Sequence, residues 1–564
     1  MKTARVSNLT ILLLALALTA TVTQSAFAQT KSAWATVVNN GVVVPGDSRK
    51  FNSYNQPSIN VNRLVVFRAR SKGGTTGEPA HGIFTRDMAA ETPLIRIFDR
   101  NTAVPQPNNL DSTFNEPPSF PRIDMWSDTV ASRGNHQPVW RYTLDDTESS
   151  AGTTGIYTNP FAYLIAGASN LGAVADFDFF AVPGTDPAIK FDVFPGAPSV
   201  TDGATIVFKG NYSVPDPNNP GETISKTGVY YRDLTDAAIP VSDGTQLTPA
   251  GGTNRIVVIA DTSTLIPDTN TLFGSTAPPS AADRTAVFSG FDNEESPTAG
   301  GIYLAPLNGP RPQLTTLVKI GEKVPGEKKG TVFNKLGEGV SFDGRFVAFW
   351  GAWGTVTTTL TLQCPTEGNK ARLAYCLEQY PDGFETTVPV HQGIFVYDTV
   401  SNSTSVVAKA PPDFADFVYW NFSGVAPGTG ESEDTGEPAR WRSAEFVAVS
   451  GLVNGSLKDP AFHAAFKART GEVVSGAYVN PVDGVYLRRG PNKSPIDTVV
   501  ETGMDGTLID PSTPIDQLTG KPLPVTEMGL ERDGFRGNSL VINVTMGAEE
   551  TGWAGIYLTT VGPK

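Results

Sequence analysis

The sequence predicts an all-β fold: a seven-bladed β-propeller whose ring is closed by pairing of an N-terminal strand with the C-terminal blade. Three observations carry this. A signature of Gly, then Ile or Val, then Phe or Tyr occurs seven times, at Gly82, Gly155, Gly228, Gly301, Gly393, Gly484 and Gly555, spaced by 73, 73, 73, 92, 91 and 71 residues. A fixed period of this kind marks a repeat architecture. The 56 Gly and 44 Pro among 564 residues, with no long amphipathic periodicity, point to short strands and many turns. Finally, the two chain ends read as the two parts of one repeat.

The chain opens with Met1, Lys2 and Arg5, an apolar run from Leu9 to Val22, and Ala26-Phe27-Ala28. This reads as a secretory signal peptide over residues 1–28. No later run approaches the roughly 18 to 20 apolar residues a spanning helix needs. The mature chain, 29–564, is expected to be one domain, exported to the periplasm or the cell exterior, without a membrane span and monomeric.

The segment from Val37 to Gly46, followed by Phe51, matches the segment from Val318 to Gly326, followed by Phe333. Both read as an outer strand d and its linker. The chain ends just after a strand c at Gly555-Ile556-Tyr557, so the spare N-terminal strand is expected to complete the last blade and cover both edges.

Between these ends each repeat supplies strands a to d. Strand b is the apolar run ahead of the signature, as at Leu64-Val65-Val66-Phe67, Thr285-Ala286-Val287-Phe288 and Phe346-Val347-Ala348-Phe349, with Glu445-Phe446-Val447-Ala448-Val449 taken for the sixth repeat. Strand a precedes it, as at Pro57-Ser58-Ile59-Asn60 and Pro198-Ser199-Val200-Thr201. The signature is strand c. Its Gly is expected to let neighbouring sheets approach, and its aliphatic and aromatic residues to point to opposite faces. One such meander cannot hide both faces, so the repeats stack radially.

Asp343-Gly344-Arg345-Phe346-Val347-Ala348-Phe349, followed later by Gly393-Ile394-Phe395, resembles the pattern of bacterial exported proteins with tandem NxxGxxAF repeats. The Val-Pro-Gly linkers at Val44 and Val324 are similar to that family's inter-repeat segment. The resemblance implies a repeat fold at the cell exterior and no particular activity.

Composition narrows the partners. A net charge of −14 argues against nucleic acid or an anionic membrane. Cys364 and Cys376, close together in an exported chain, are expected to form a disulfide, with a metal pair as the rival reading.

Function is expected on the rim that carries the b–c loops and d–a linkers, because both long repeats owe their length there to insertions, 351–392 and 451–483, the second with a short helix over 459–467. Insertions on one rim of a rigid scaffold are the usual place for binding residues. All four histidines, His81, His136, His391 and His463, are assigned to that rim, with His81 near His136 and His391 near His463. Tyr54, Arg122, Lys335, Tyr419 and Glu527, at the starts of strands a, are assigned to the mouth of the central opening. The reading is an exported binding or scaffold protein for an extracellular glycan or protein. The enzymatic alternative is a polysaccharide-degrading lyase for acidic polysaccharide, with His136 or His81 as base. No cofactor is called for. Calcium is the one metal considered, at the acidic run 431–437 or at 505–510, against the plainer reading of solvated turns.

Overall fold

The computed structural model describes residues 28–29 and 33–562, except 74–78, 105–112, 137–139, 143–147, 151–153, 160–163, 169–180, 187, 234–237, 241–246, 250–255, 367–369, 425, 428–437, 452–460, 491–493 and 549–551. The signal-peptide reading and the acidic run 431–437 therefore lie outside the described residues, apart from Ala28.

Seven sheets form the ring, antiparallel except that Ala28–Gln29 adds a parallel edge to the outer strand Ile496–Glu501 of blade 6. Blade 5 shows the plan: strand a in two pieces, Phe333–Leu336 and Ser341–Phe342, then b Phe346–Trp353, c Gln392–Asp398 and d Ser403–Ala410. The second pieces of strand a, Ser58–Ile59, Arg122–Ile123, Ser199–Thr201, Ser280–Ala282, Ser341–Phe342, Val447–Gly451 and Phe535–Arg536, touch in that order, and the last touches the first. Strand a is thus innermost. Blade 7 takes its outer strand from the other end of the chain: Trp34–Asn39 pairs with Trp553–Thr560, Ala35 opposite Leu558 and Asn39 opposite Gly555. Asp510 locks this closure. Its carboxylate, buried at 1% exposure, accepts from Asn39 Nδ2 at 2.7 Å, Trp553 Nε1 at 2.8 Å and Tyr557 Oη at 2.9 Å.

Proline explains the break in strand a. Pro57, Pro121, Pro198 and Pro279 each stand immediately before a second piece, where the missing N–H and the restricted preceding residue interrupt the ladder. The serine that follows ties neighbouring blades: Ser58 Oγ donates to the Pro121 carbonyl at 3.0 Å, Ser280 Oγ to that of Val340 at 2.8 Å, and Ser199 Oγ accepts from Ala281 N at 3.0 Å.

The signature glycine serves a purpose other than the one expected. Strands c and d shift register right after it, as between Ile83 and Phe84 and between Ile302 and Tyr303. A β-bulge crowds the start of c against d of the same sheet, so a Cβ on Gly301 would lie 2.1 Å from the Val318 carbonyl oxygen. The close approach is within a blade, not between blades.

The two signature side chains do point to opposite faces. Ile302 joins the hydrophobic cluster between blades 4 and 5, Tyr303 the one between blades 3 and 4. Seven such clusters fill the seven interfaces. In blade 4 the Tyr303 ring meets Phe273, just ahead of strand a, edge-on at 5.3 Å and Phe288 of strand b at 5.9 Å, an arrangement that adds to area burial.

Blade 6 departs from the expected alignment. Val447–Gly451 pairs with Phe462–Val474, which forms a long hairpin with Ala477–Arg489. So the run at Val447 is the second piece of strand a, and strand b begins at Phe462. The stretch 451–483 is not a b–c insertion, and residues 462–467 are strand rather than helix. The real insertion interrupts strand a: it is the hairpin of Tyr419–Ser423 and Arg440–Ala444. Blade 5 carries its insertion between b and c as expected, as the hairpin of Thr357–Leu362 and Phe384–Pro389 enclosing the helix Lys370–Gln379.

Candidate functional site: a cup closed at one end of the ring

At the level where strand a breaks, the segment 531–536 of blade 7 crosses the axis and bonds to most of the ring. Arg122 of blade 2, fully buried, donates from Nη2 to Glu531 Oε1 at 2.7 Å and from Nη1 to the Pro279 carbonyl of blade 4 at 2.9 Å. Arg532 reaches the Pro278 carbonyl at 2.9 Å. Arg536 pairs with Asp533 at 2.6 Å and donates to Phe342 of blade 5 and Val449 of blade 6, while Ile59 N of blade 1 donates to the Asp533 carbonyl at 3.0 Å. These contacts fill the a–b side, while Lys335 on strand a of blade 5 and Glu338 in its break stay exposed, so we describe the central opening as a cup that faces the b–c rim.

Two glutamates stand at its floor. Glu338, exposed, lies in the break of strand a of blade 5. Charged groups of four other blades act on it: Lys209 of blade 3, Glu294 of blade 4, Arg440 of blade 6 and Arg532 of blade 7. Glu445, where the blade 6 hairpin returns, lies against the flanking glycines: a Cβ on Gly337 would come 2.9 Å from its Oε2, and one on Gly339 2.8 Å from its carbonyl oxygen. Burial, then repulsion from Glu338, pushes the Glu445 carboxyl up to about 8, so it is largely protonated at neutral pH.

The blade 6 hairpin rises from this floor to the rim. There Phe422 and Trp441 pack with Tyr380 and Phe384 of the blade 5 insertion, Phe384 stacked parallel to Trp441 at 6.3 Å. The Cys364–Cys376 disulfide, with Cα atoms 5.9 Å apart, braces the helix behind. Arg440 spans to Glu294 of blade 4 at 2.9 Å across the opening.

On the wall below, the Lys467 ammonium sits 4.2 Å over the Tyr419 ring and 5.5 Å from that of Phe446. Burial lowers the Lys467 amine, partly offset by the carboxylates of Asp483 and Glu527. Arg469, two residues on, lies over the same Tyr419 ring at 5.1 Å and over Tyr478 at 4.3 Å, and is fixed by a two-pronged pair with Asp483 at 2.6 and 2.9 Å. Behind it, buried Asp416 accepts from the Tyr478 hydroxyl and from Gln392 Nε2 at 2.9 Å. The Tyr419 hydroxyl is buried without a hydrogen-bond partner.

The residues assigned from sequence divide accordingly. Tyr419 and Glu527 meet around Lys467, and Lys335 is exposed on strand a of blade 5. Arg122 is not at the mouth: it is buried in the floor, because its position opens the second piece of strand a. Tyr54 is packed in blade 1 against Phe51 and Phe67 at 5.9 and 6.4 Å.

His81 and His391 do begin or precede strands c on the open rim, where His391 stacks on Trp353 at 6.3 Å. His463 does not: it lies near the start of strand b of blade 6, on the closed side, 2% exposed and stacked on Phe535 of blade 7 at 6.0 Å. His391 and His463 are thus at opposite ends of their sheets. Burial, with Arg489 nearby, lowers His463 to about 4. His136 ends strand b of blade 2, and its side chain lies outside the described residues.

Among the described residues no group of three His, Cys, Asp or Glu could hold a metal. At 505–510, Asp505 is exposed as expected of a turn, but Asp510 is the buried closure residue described above.

Sequence reasoning missed Lys209, Lys467 and Arg68. They occupy one register: each follows the strand-b aromatic, in Phe67-Arg68, Phe208-Lys209 and Phe466-Lys467, one residue before the position opposite the signature glycine. That repeated aromatic-then-cation pair was the available signal.

No protein-family model matches the sequence, and no curated protein matches it. Solved structures similar to the chain include the polysaccharide lyase Uly1, with 9% identity, 57% of this chain covered and a TM-score of 0.28. The chain spans 58% of the length of that lyase. The β-propeller domain of the Trilobed protease from Pyrococcus furiosus matches 78% of this chain and 96% of its own, with 8% identity and a TM-score of 0.26. The α-L-arabinanase of Penicillium chrysogenum matches 93% of this chain and 97% of its own, with 8% identity and a TM-score of 0.26. None of these TM-scores reaches 0.5, and the fold rests on the strand topology and the closed ring of contacts described above, which make the chain a seven-bladed β-propeller.

Proposed function

We propose that the protein binds a glycan outside the cytoplasm, in the cup that opens on the b–c rim. The observation that carries this is the asymmetry of the central opening. Its floor is sealed by hydrogen-bonded charges, and both insertions meet at the opposite end in an aromatic wall. A ligand has one way in and meets rings and polar groups in alternation, the surface a sugar chain needs. A disulfide and the absence, among the described residues, of any helix long and apolar enough to cross a membrane are compatible with export. Membership of the tandem NxxGxxAF proteins is part of the same proposal. A glycan array tests it: retention of particular glycans, lost in Trp441→Ala and Lys467→Met, is the expected result. No retention, or retention that both variants leave intact, overturns it.

The second reading, a lyase, is favoured by Lys467. An amine lowered by burial, beside a phenol without a hydrogen-bond partner and a guanidinium, is a proton-transfer set. The amine would take the proton from the carbon next to a uronate carboxylate, the carbon–carbon double bond would form as the neighbouring C–O bond breaks, and water would protonate the leaving oxygen. His81 is poorly suited as base, since burial and three arginines lower it to about 4. New ultraviolet absorbance from polygalacturonate, absent in Lys467→Met, would establish turnover. Binding without absorbance would remove the lyase.

A further inference from the structure

The two glutamates at the floor of the cup have no partner in the protein. Glu338, between Gly337 and Gly339, is exposed to solvent, yet desolvation is the largest influence on its carboxyl and raises it. That combination belongs to a recess rather than to an outer surface. Lys209, Arg532 and Arg440 oppose the rise, and Glu294 adds to it. Glu445 comes in beside it, its Oε2 within 2.9 Å of where a Cβ on Gly337 would stand. Among the described residues neither carboxyl is in a salt bridge or accepts from another residue, and Glu445 is met only by its own backbone N–H. The charges acting on Glu445, those of Glu338 and Asp416, are both repulsive. Enclosed carboxyls are ordinarily hydrogen-bonded, so this pair is suited to a group that arrives from outside. Two of the nearby cations are committed elsewhere, Arg440 to Glu294 at 2.9 Å and Arg532 to the Pro278 carbonyl at 2.9 Å. The floor therefore offers a ligand two carboxyl groups, which suit hydroxyls and repel an anionic sugar.

We propose that Glu445 and Glu338 hydrolyse the glycosidic bond of an uncharged glycan that enters the cup by one end. The inference rests on the reading of the cup as glycan-binding and adds a reaction and the charge class of the substrate. The Glu445 carboxylic acid donates its proton to the glycosidic oxygen as the bond from that oxygen to the anomeric carbon breaks. A water molecule gives a proton to the Glu338 carboxylate, and its oxygen forms the new bond to the same carbon. One water is consumed; Glu445 is left ionised and Glu338 protonated, and proton exchange with solvent restores both. Their environments divide the roles. Cations of three other blades act on Glu338 and none on Glu445, while burial and the repulsion of Glu338 raise Glu445 to about 8, so the acid keeps its proton when its neighbour has lost its own. Because the segment 531–536 fills the a–b side, a chain reaches the pair end-first and short products leave its end.

The test is incubation of the full chain with cello-, xylo-, manno- and maltohexaose. The expected result is new reducing ends without new ultraviolet absorbance, with short products released from the chain end. Glu338→Gln and Glu445→Gln should each lower that rate by about a hundredfold or more. On a dinitrophenyl glycoside of the released sugar, whose leaving group needs no proton, Glu445→Gln should keep most of the parent rate and Glu338→Gln should not, a split that loss of fold would not produce. Release from none of the hexaoses, cleavage in mid-chain, either variant at the parent rate on the hexaose, or equal loss in both on the dinitrophenyl glycoside overturns the proposal. The cup reading fails separately: no retention on the glycan array removes the cup, whereas retention of an uncharged glycan without new reducing ends removes the hydrolysis alone.

Discussion

The two ends of the central opening carry charge for different purposes. At the closed end the charges are matched and saturated: Arg122 with Glu531 and Asp533, Arg536 with Asp533, each also bonded to carbonyls of other blades. On the wall above, Lys467 is held over the Tyr419 and Phe446 rings, and Arg469 lies over the Tyr419 ring with Asp483 as its ion partner. A buried pair that satisfies itself fixes the relation between blades. A charge braced by aromatic faces keeps hydrogen-bonding capacity for something else.

Substitutions can break or sharpen this contrast. Arg122→Met should cost about 3 to 5 kcal/mol, since it takes the close ion partner from Glu531 in the floor. An unchanged midpoint in denaturant would mean the floor charges do not hold the ring. Tyr303→Ala, at 1% exposure, should cost a similar 3 to 5 kcal/mol through the cavity left between blades, again read from the denaturation midpoint. Replacing Cys364 and Cys376 by Ser should destabilise the blade 5 insertion by about 3 kcal/mol. Proteolysis confined to residues 354–391, with the ring intact, is the expected signature. Lys467→Met should shift the midpoint least while abolishing retention on the array, the reverse of Arg122→Met.

The pH dependence has two signs. His81 and His463 fall from the usual 6.5 to about 4 in the folded chain. Between those values the unfolded chain binds protons the folded chain does not, so both remove stability as pH falls from 6.5 toward 4. Glu445 rises from 4.5 to about 8, so the folded chain holds the extra proton, and its contribution is lost as pH rises from 4.5 through 8. Glu445→Gln should flatten the alkaline side of a stability–pH profile and leave the acid side. A profile identical to that of the parent would show the carboxyl to be ionised like any other.

Much of the architecture was legible because the repeat writes the same chemistry seven times. The signature gave the blade count, and the match between Val37-Val38 and Val318-Lys319 gave the closure. What failed was alignment in blade 6. Val447-Ala448-Val449 is as apolar as a strand b, and Ala461, Ala464 and Ala465 favour a helix in isolation, yet pairing across the sheet overrode local propensity. The pair Phe466-Lys467, read beside Phe67-Arg68 and Phe208-Lys209, places strand b correctly and brings Lys467 to Tyr419. Arg122 was placed on the right strand but on the wrong piece of it, because the proline break that lowers it into the floor is a backbone effect. The charges that act on Glu338 come from four other blades, and no local pattern encodes them.

The strand Trp34–Asn39 has its partner more than 500 residues later. Until Trp553–Thr560 has been made it has no edge to join, and at about 5 to 20 residues per second that wait lasts roughly half a minute to two minutes. During that time blade 1 has no neighbour on one flank, and Val37, Val38 and Phe51, fully enclosed in the finished ring, face solvent. Assembly therefore hinges on Trp553–Thr560 being in place, and a deletion of that strand alone should leave an adhesive, open-sided chain rather than a slightly smaller ring.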